Sequence, residues 1–161
     1  MGMLRLYDTR TPGFTGLTLM AESNGPKLHA ITFITQHPHR PEAIVAGTTT
    51  GLVLSWDMRH TQFPVSMAEA HEGEVWCGSF HPVYSNHFLS GGEDGGLLHW
   101  AMPNAADRSF ALDTDTHGAT VHSLLDSDTM GINCVAAAHN MVAAGTDNQA
   151  LILLERNALV R

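Results

Sequence analysis

The chain has 161 residues and a mass of 17.4 kDa, a length suited to one domain. Eight Lys and Arg against sixteen Asp and Glu leave a formal net charge of −8. That balance argues against a nucleic-acid or anionic-membrane surface, since both need clustered cations to displace counterions, and no segment approaches the ~20 apolar residues of a membrane-spanning helix.

In chain order, the run Leu4-Arg5-Leu6-Tyr7-Asp8 is short and strand-like, and it resembles Leu52-Val53-Leu54-Ser55-Trp56-Asp57. Four strands are then expected at 28–34, 43–47, 52–56 and 63–67. A second series follows at 74–80, 87–91, 97–100 and 121–125, and a third at 132–138, 141–144 and 150–154. Gly, Pro, Asn, Asp and Thr separate these runs, as β-turns require. No stretch keeps a 3.6-residue apolar period over a helix-length window, so the chain reads as all-β.

The series repeat. His37-Pro38 recurs as His81-Pro82 after 44 residues, and Gly47, Gly51 and Trp56 recur as Gly91, Gly95 and Trp100 at the same offset. Ala143-Ala144-Gly145-Thr146-Asp147 matches Ser90-Gly91-Gly92-Glu93-Asp94 at an offset of 53, with the nine extra residues assigned to a polar loop at 103–120. Short strands at a period near 44 are the signature of propeller blades.

Trp56-Asp57 ends a strand, Ala70-His71 precedes one, and Ser90-Gly91-Gly92-Glu93-Asp94-Gly95 leads to Trp100. These residues resemble the WD-repeat family. The resemblance implies an all-β, partial WD40-type β-propeller of about three and a half blades, each a four-stranded antiparallel sheet. Residues 1–27 are then the end of a preceding blade with a connecting strand, and 28–161 hold three units at about 28–70, 71–120 and 121–161. A narrower likeness rests on Trp76 after Glu74-Val75, on Phe80-His81-Pro82, on the His99-Trp100 ending and on Ser123-Leu124-Leu125. The segment is similar to the small WD-repeat nucleoporins of the nuclear pore's outer-ring Y-complex. Because that family closes rings of seven blades, the likeness implies a C-terminal half whose last blade lacks its outer strand, leaving open sheet edges.

The same resemblance implies a non-catalytic scaffold supporting nucleocytoplasmic transport and mRNA export. It places the chain at the nuclear envelope and at kinetochores in mitosis. Its partners would be α-helical solenoid and propeller nucleoporins of the complex's short arm. No cofactor, metal, small-molecule substrate, nucleic acid or membrane insertion is expected.

His71, Ser90 and Asp94 are the three residue types of a hydrolase triad. Their spacing to Trp100 instead matches the structural tetrad of WD repeats, in which, by resemblance, Trp100 donates to Ser90, Ser90 bonds His71 and His71 bonds Asp94. Lys27, Ala46 and Thr50 stand at the equivalent places one unit earlier, so only Trp56 is kept and packing is expected to hold that unit. Trp56, Asp57 and Arg59, echoed by Tyr7, Asp8 and Arg10, resemble the docking motif of WD-repeat substrate receptors for cullin-type ubiquitin ligases. That is the alternative reading.

The eleven histidines include the cluster His37-Pro38-His39, but no HExxH, CxxC or Cys-His spacing of a zinc site occurs. Gly91-Gly92-Glu93-Asp94-Gly95-Gly96 joins two strands and reads as a hairpin turn rather than a phosphate loop. Cys77 and Cys134 are too few for a disulfide framework and read as buried free thiols in comparable first strands, with no adjacent Lys or Arg to lower their pKa. Met1-Gly2-Met3-Leu4-Arg5 lacks the features of a signal peptide, and Leu6 breaks a myristoylation pattern, so an intracellular chain is expected. Asp113, Asp115, Asp126 and Asp128 read as a solvated flexible loop and its sequel.

Overall fold

The computed structural model describes residues 3–10, 13, 18–20, 29–59, 63–102, 112, 119–128 and 130–155. Strands β1 (Met3–Arg5) and β2 (Thr18–Met20) pair antiparallel as a small two-stranded sheet. The first larger sheet contains β3 (Ile31–His37), β4 (Arg40–Thr48), β5 (Leu52–Asp57) and β6 (Ser66–Glu69) in chain order. The second contains β7 (Val75–Phe80), β8 (His87–Gly92), β9 (Leu97–Ala101) and β10 (Thr120–Leu125). The third has β11 (Ile132–Ala138), β12 (Met141–Thr146) and β13 (Leu151–Glu155). Among the described residues all pairings are antiparallel between sequential strands, through short turns at most places and through a long insertion between β9 and β10. Among the described residues no helix is long and apolar enough to cross a membrane.

Most strand boundaries differ from expectation by one to three residues, β3 running Ile31–His37 against 28–34, and three of the differences have local reasons. β4 starts at Arg40 because a register shift pairs that residue directly with His37. β6 starts at Ser66 rather than at residue 63, since Pro64 has no N–H to give a ladder. β1 covers Met3–Arg5, and Asp8 instead turns back to accept from the Arg10 backbone N–H. Leu28, expected to begin β3, lies outside the described residues.

The pairing also corrects the repeat offset. Each first strand carries a bulge at the same point, placing Phe33 opposite Gly47, Cys77 opposite Gly91 and Cys134 opposite Gly145. Gly145 is therefore the counterpart of Gly91, an offset of 54 rather than 53. The hairpin turns agree: Gly51 (φ 82°), Gly95 (φ 76°) and Gln149 (φ 64°) share one left-handed position in this register.

Alternation along the strands sends one face of each sheet to each neighbour. Val45, Val53, Val75, Phe80, Phe88 and Trp100 form the core between the first two sheets, with Phe33 stacked on Phe88 at a centroid distance of 6.5 Å. Leu89, Leu97, Ile132, Val142 and Ala144 join the second and third sheets. Ile44, Ala46, Leu54 and Trp56 form a third cluster on the other face of the first sheet, with Leu4 against it. Burying each of the larger side chains stabilises the fold by about 1.5–3 kcal/mol.

The polar insertion between β9 and β10 carries an anchor. Leu112 is fully buried, and its backbone N–H donates to Ser66 Oγ at 2.8 Å, which in turn meets Ser55 Oγ at 2.6 Å. The expectation of a solvated loop is thus corrected at this residue, where an apolar side chain and a buried hydroxyl tie the insertion to β6. Asp113 and Asp115 lie outside the described residues, whereas Asp126 and Asp128 are exposed.

Candidate functional site

His71, Ser90, Asp94 and Trp100 come together from the β6–β7 connection, β8, the β8–β9 turn and β9. The Trp100 indole N–H donates to Ser90 Oγ at 3.0 Å, Ser90 Oγ lies 3.0 Å from His71 Nε2, and His71 Nδ1 lies 2.9 Å from Asp94 Oδ1. A neutral His71 protonated on Nδ1 satisfies every group: Ser90 donates to Nε2 and Nδ1–H donates to the carboxylate. Asp94 also accepts from the backbone N–H groups of Glu72 and Gly96, each at 3.0 Å. Burial works to raise the Asp94 pKa, but the bonds from His71 and these two amides outweigh it and hold the carboxyl below its ordinary value.

Chemically this is a connected Ser-His-Asp set, yet it is closed to substrate. Ser90 is fully buried, the His71 side chain has no exposed surface, and Ser90 already accepts the Trp100 N–H. A nucleophile needs an open face. What the arrangement can do is tie the connection before β7 to the two strands that follow it.

One unit earlier, Trp56 is fully buried and its indole N–H has no partner among the described residues, because Ala46 stands at the place of Ser90. Lys27 lies outside the described residues. A shorter network replaces the tetrad here: His29 Nδ1 is 2.6 Å from Thr50 Oγ1, which is 3.1 Å from Thr48 Oγ1. Packing is therefore joined by hydrogen bonds that sequence reasoning missed, since the histidine sits two positions after the expected one. In the third sheet Asn148 takes the place of Asp94, accepting from Ala150 N at 3.2 Å and from the Thr146 hydroxyl, while Leu154 replaces the tryptophan.

Of the docking residues, Trp56 and Asp57 are buried and only Arg59 reaches solvent. Its backbone N–H and Nε both donate to Asp57 Oδ1 at 3.0 Å, and a terminal nitrogen donates to Asp57 Oδ2 at 2.7 Å. The other terminal nitrogen lies 3.5 Å from Glu42. The bond to Asp57 raises the Arg59 pKa further. Arg10 binds Asp8 in the same way, so the Asp-x-Arg pattern closes on itself at both places. An outside carboxylate would have to displace Asp57 to use the Nε side of the guanidinium, or compete with Glu42 for its terminal nitrogens.

The His-Pro pairs also have a local task. His37 Nδ1 accepts from His39 N at 3.1 Å, and His81 Nδ1 accepts from Val83 N at 3.1 Å and Tyr84 N at 2.9 Å. Burial, then the nearby Arg40 and His39 charges, push the His37 pKa down to about 4, which keeps the accepting lone pair. A further pair unseen in the sequence joins β8 and β9, where His87 Nδ1 and His99 Nε2 lie 2.7 Å apart in nearly parallel rings. Burial, followed by His87, His122 and His81, also lowers the His99 pKa to about 4. Among the described residues, no group of three His, Cys, Asp or Glu side chains is arranged to hold a metal.

Cys77 and Cys134 occupy equivalent bulge positions in β7 and β11. Cys77 is half-buried, and burial with the neighbouring Cys134 pushes its pKa up to about 12. Cys134 is exposed, correcting the expectation of burial, because it lies on the face of the third sheet turned away from the second.

No family model matches the chain. Nucleoporin Nup43 of Mus musculus is 27 % identical over 184 aligned positions, covering 94 % of this chain and 48 % of that protein. Nucleoporin Nup43 of Homo sapiens is 32 % identical over 101 positions, covering 62 % of this chain and 26 % of its own length. Among solved structures, the Cps50 (Swd1) β-propeller domain of Myceliophteria thermophila matches with a TM-score of 0.65 and 27 % identity, over 83 % of this chain and 43 % of that one. The chain spans about half the length of the mouse relative. It is similar to a nucleoporin and to a solved β-propeller, and its described residues form the all-β antiparallel sheets of a partial β-propeller.

Proposed function

We propose that this chain acts as a non-catalytic scaffold element of the nuclear pore, working through rigid protein–protein contacts. The observation that carries this reading is the similarity to Nup43 along 94 % of the chain. The buried state of the Ser90–His71–Asp94 set supports the non-catalytic part. In the finer form of the proposal, the chain belongs in the outer-ring Y-complex and contacts helical-solenoid and propeller nucleoporins of the short arm. It would then serve nucleocytoplasmic transport and mRNA export, with a kinetochore association in mitosis. The units 28–70, 71–120 and 121–161 are proposed as its blades, and the His71–Ser90–Asp94–Trp100 set as a brace of the middle one.

The second reading, a substrate receptor of a cullin-type ligase, is favoured by the exposed guanidinium of Arg59, whose side chain is 57 % accessible. Its engagement with Asp57 and Glu42 makes a bracing role the better supported of the two.

A fluorescent fusion of the full chain at its own locus tests the assignment. Signal concentrated at the nuclear rim and unchanged by Arg59→Ala is the expected result. A diffuse signal, or a rim signal lost with Arg59→Ala, would contradict it.

A further inference from the structure

Three histidines stand in a row across the second sheet, His87 on β8, His99 on β9 and His122 on β10. His99 pairs directly with His122, and alternation puts all three on the side of Leu89, Leu97 and Leu124, the side packed on the third sheet. His87 Nδ1 and His99 Nε2 are 2.7 Å apart, and the ring centroids of His99 and His122 are 6.0 Å apart. His99 is 3 % exposed, and its Nδ1 has no partner among the described residues. In the neutral pair His99 donates from Nε2 to His87, so the orphan Nδ1 carries only a lone pair. A further proton on either ring changes that. A charged His99 has both nitrogens protonated, and a charged His87 becomes the donor to Nε2, so His99 Nδ1 must carry a hydrogen in both cases. A buried N–H without an acceptor, beside a positive charge, is costly. The third sheet supplies no counter-charge: it turns Val142, Ala144, Ile152 and Leu154 to the second, and Glu155 alternates to the opposite face. The adjoining turns add only His81 and Tyr84, next to His87, and His139 of the β11–β12 turn, whose charge acts on His81. Burial, followed by these like-charged neighbours, lowers the His81 and His87 pKa as it does that of His99.

We propose that the His87–His99–His122 row is an acid-sensitive latch at the seam between the second and third sheets. Neutral, it holds the seam closed; protonated, it releases β11–β13 as a unit while the first two sheets stay folded. The released rings return to water, where they titrate near 6.5, so opening takes up protons and is favoured as pH falls below that value. The seam between the first and second sheets is built differently. His37 meets Phe80 there as a single ring beside a larger aromatic core. A Ser85 backbone bond and Glu42 favour its charged form against burial and Arg40, and the row has no such support. Nothing in the latch depends on the nuclear-pore assignment.

Hydrogen exchange of the full chain at pH 7.5 and pH 5, with rates corrected for their intrinsic pH dependence, tests it. Protection of the β11–β13 amides is expected to fall about tenfold or more, the scale set by one imidazole moved from 6.5 to about 4. It is expected to end below the protection of β4 and β5. His99→Phe is expected to remove most of the fall, while His37→Phe, in the other seam, leaves it unchanged. Protection of β11–β13 that ignores pH, or that equals that of β4 and β5 at pH 5, overturns the latch. A fall that survives His99→Phe, or that shrinks with His37→Phe, overturns it too. If His99→Phe does not fold, the imidazole nitrogen signals of the unaltered chain decide. Protonation of His99 is expected to coincide with the loss of protection in β11–β13, and a His99 ring that takes its proton while those strands stay protected overturns the proposal.

Discussion

Trp100 donates its indole N–H to Ser90 Oγ at 3.0 Å, inside a core that water does not reach. That bond begins the chain through His71 to Asp94, and each member is satisfied only while the others stay in place. Trp100→Phe removes the donor and part of the ring volume, and His71→Ala leaves Ser90 and Asp94 short of a partner. Each is expected to lower unfolding stability by about 2 kcal/mol. Chemical denaturation checks this; unchanged midpoints for both variants would contradict a bracing role.

Trp56 supplies the converse experiment. Its indole N–H is buried without a partner among the described residues, and Ala46 occupies the acceptor's place. Ala46→Ser restores the hydroxyl that Ser90 provides one unit later. The variant is expected to gain about 1 kcal/mol, the net value of a well-made hydrogen bond. A loss of stability would show that the first sheet does not hold tryptophan and acceptor in the geometry of the second.

The strand order was legible because Gly, Pro, Asn and Asp punctuate short apolar runs, and because Trp56 and Trp100 mark the same strand twice. His71, Ser90, Asp94 and Trp100 were legible as a set because four restrictive residue types stand at family spacing in the middle unit, although neither neighbouring unit keeps all four. The third offset was not: Ala143-Ala144-Gly145 slides against Ser90-Gly91-Gly92 by one position without penalty, and only the bulge opposite Gly145 decides. His29 was missed because a loop can bring a ring to Thr50 from either of two nearby positions. Leu112 ends the short run Phe110-Ala111-Leu112 inside a polar stretch, too brief for any periodicity to reveal its burial. The exposure of Cys134 depends on which sheet covers which face, information that no local pattern contains.

Gln149 sits at φ 64°, where the equivalent turns use Gly51 and Gly95. A side chain in that region costs roughly 1–2 kcal/mol, partly offset by the freedom glycine loses on folding. Gln149→Gly is expected to raise stability by about 1 kcal/mol. Gly51→Ala is expected to do the opposite and by more, since a Cβ there would lie 2.0 Å from the His71 carbonyl oxygen. Paired denaturation curves check both signs.

Acid should weaken the fold through its histidines. His37 and His99 are held near pKa 4, each chiefly by burial, whereas unfolded histidine titrates near 6.5. The unfolded chain therefore binds more protons between these values, and stability falls as pH drops from about 6.5 towards 4. Asp94, with its pKa lowered from 3.8, adds its own loss only below that window. Thermal midpoints at pH 7.5 and pH 5 are expected to show the drop, with a shallower slope in His99→Phe. A flat profile would mean these rings are not buried neutral.

The central claim is that this chain is a scaffold piece of the nuclear pore, and immunoprecipitation of the endogenous protein tests it most directly. An antibody raised against residues 72–100 would recover the native polypeptide with whatever it binds. Recovery with nucleoporins, helical-solenoid subunits among them, is the predicted result. Recovery with cullin-ligase adaptors, or with no nucleoporin at all, would contradict the account.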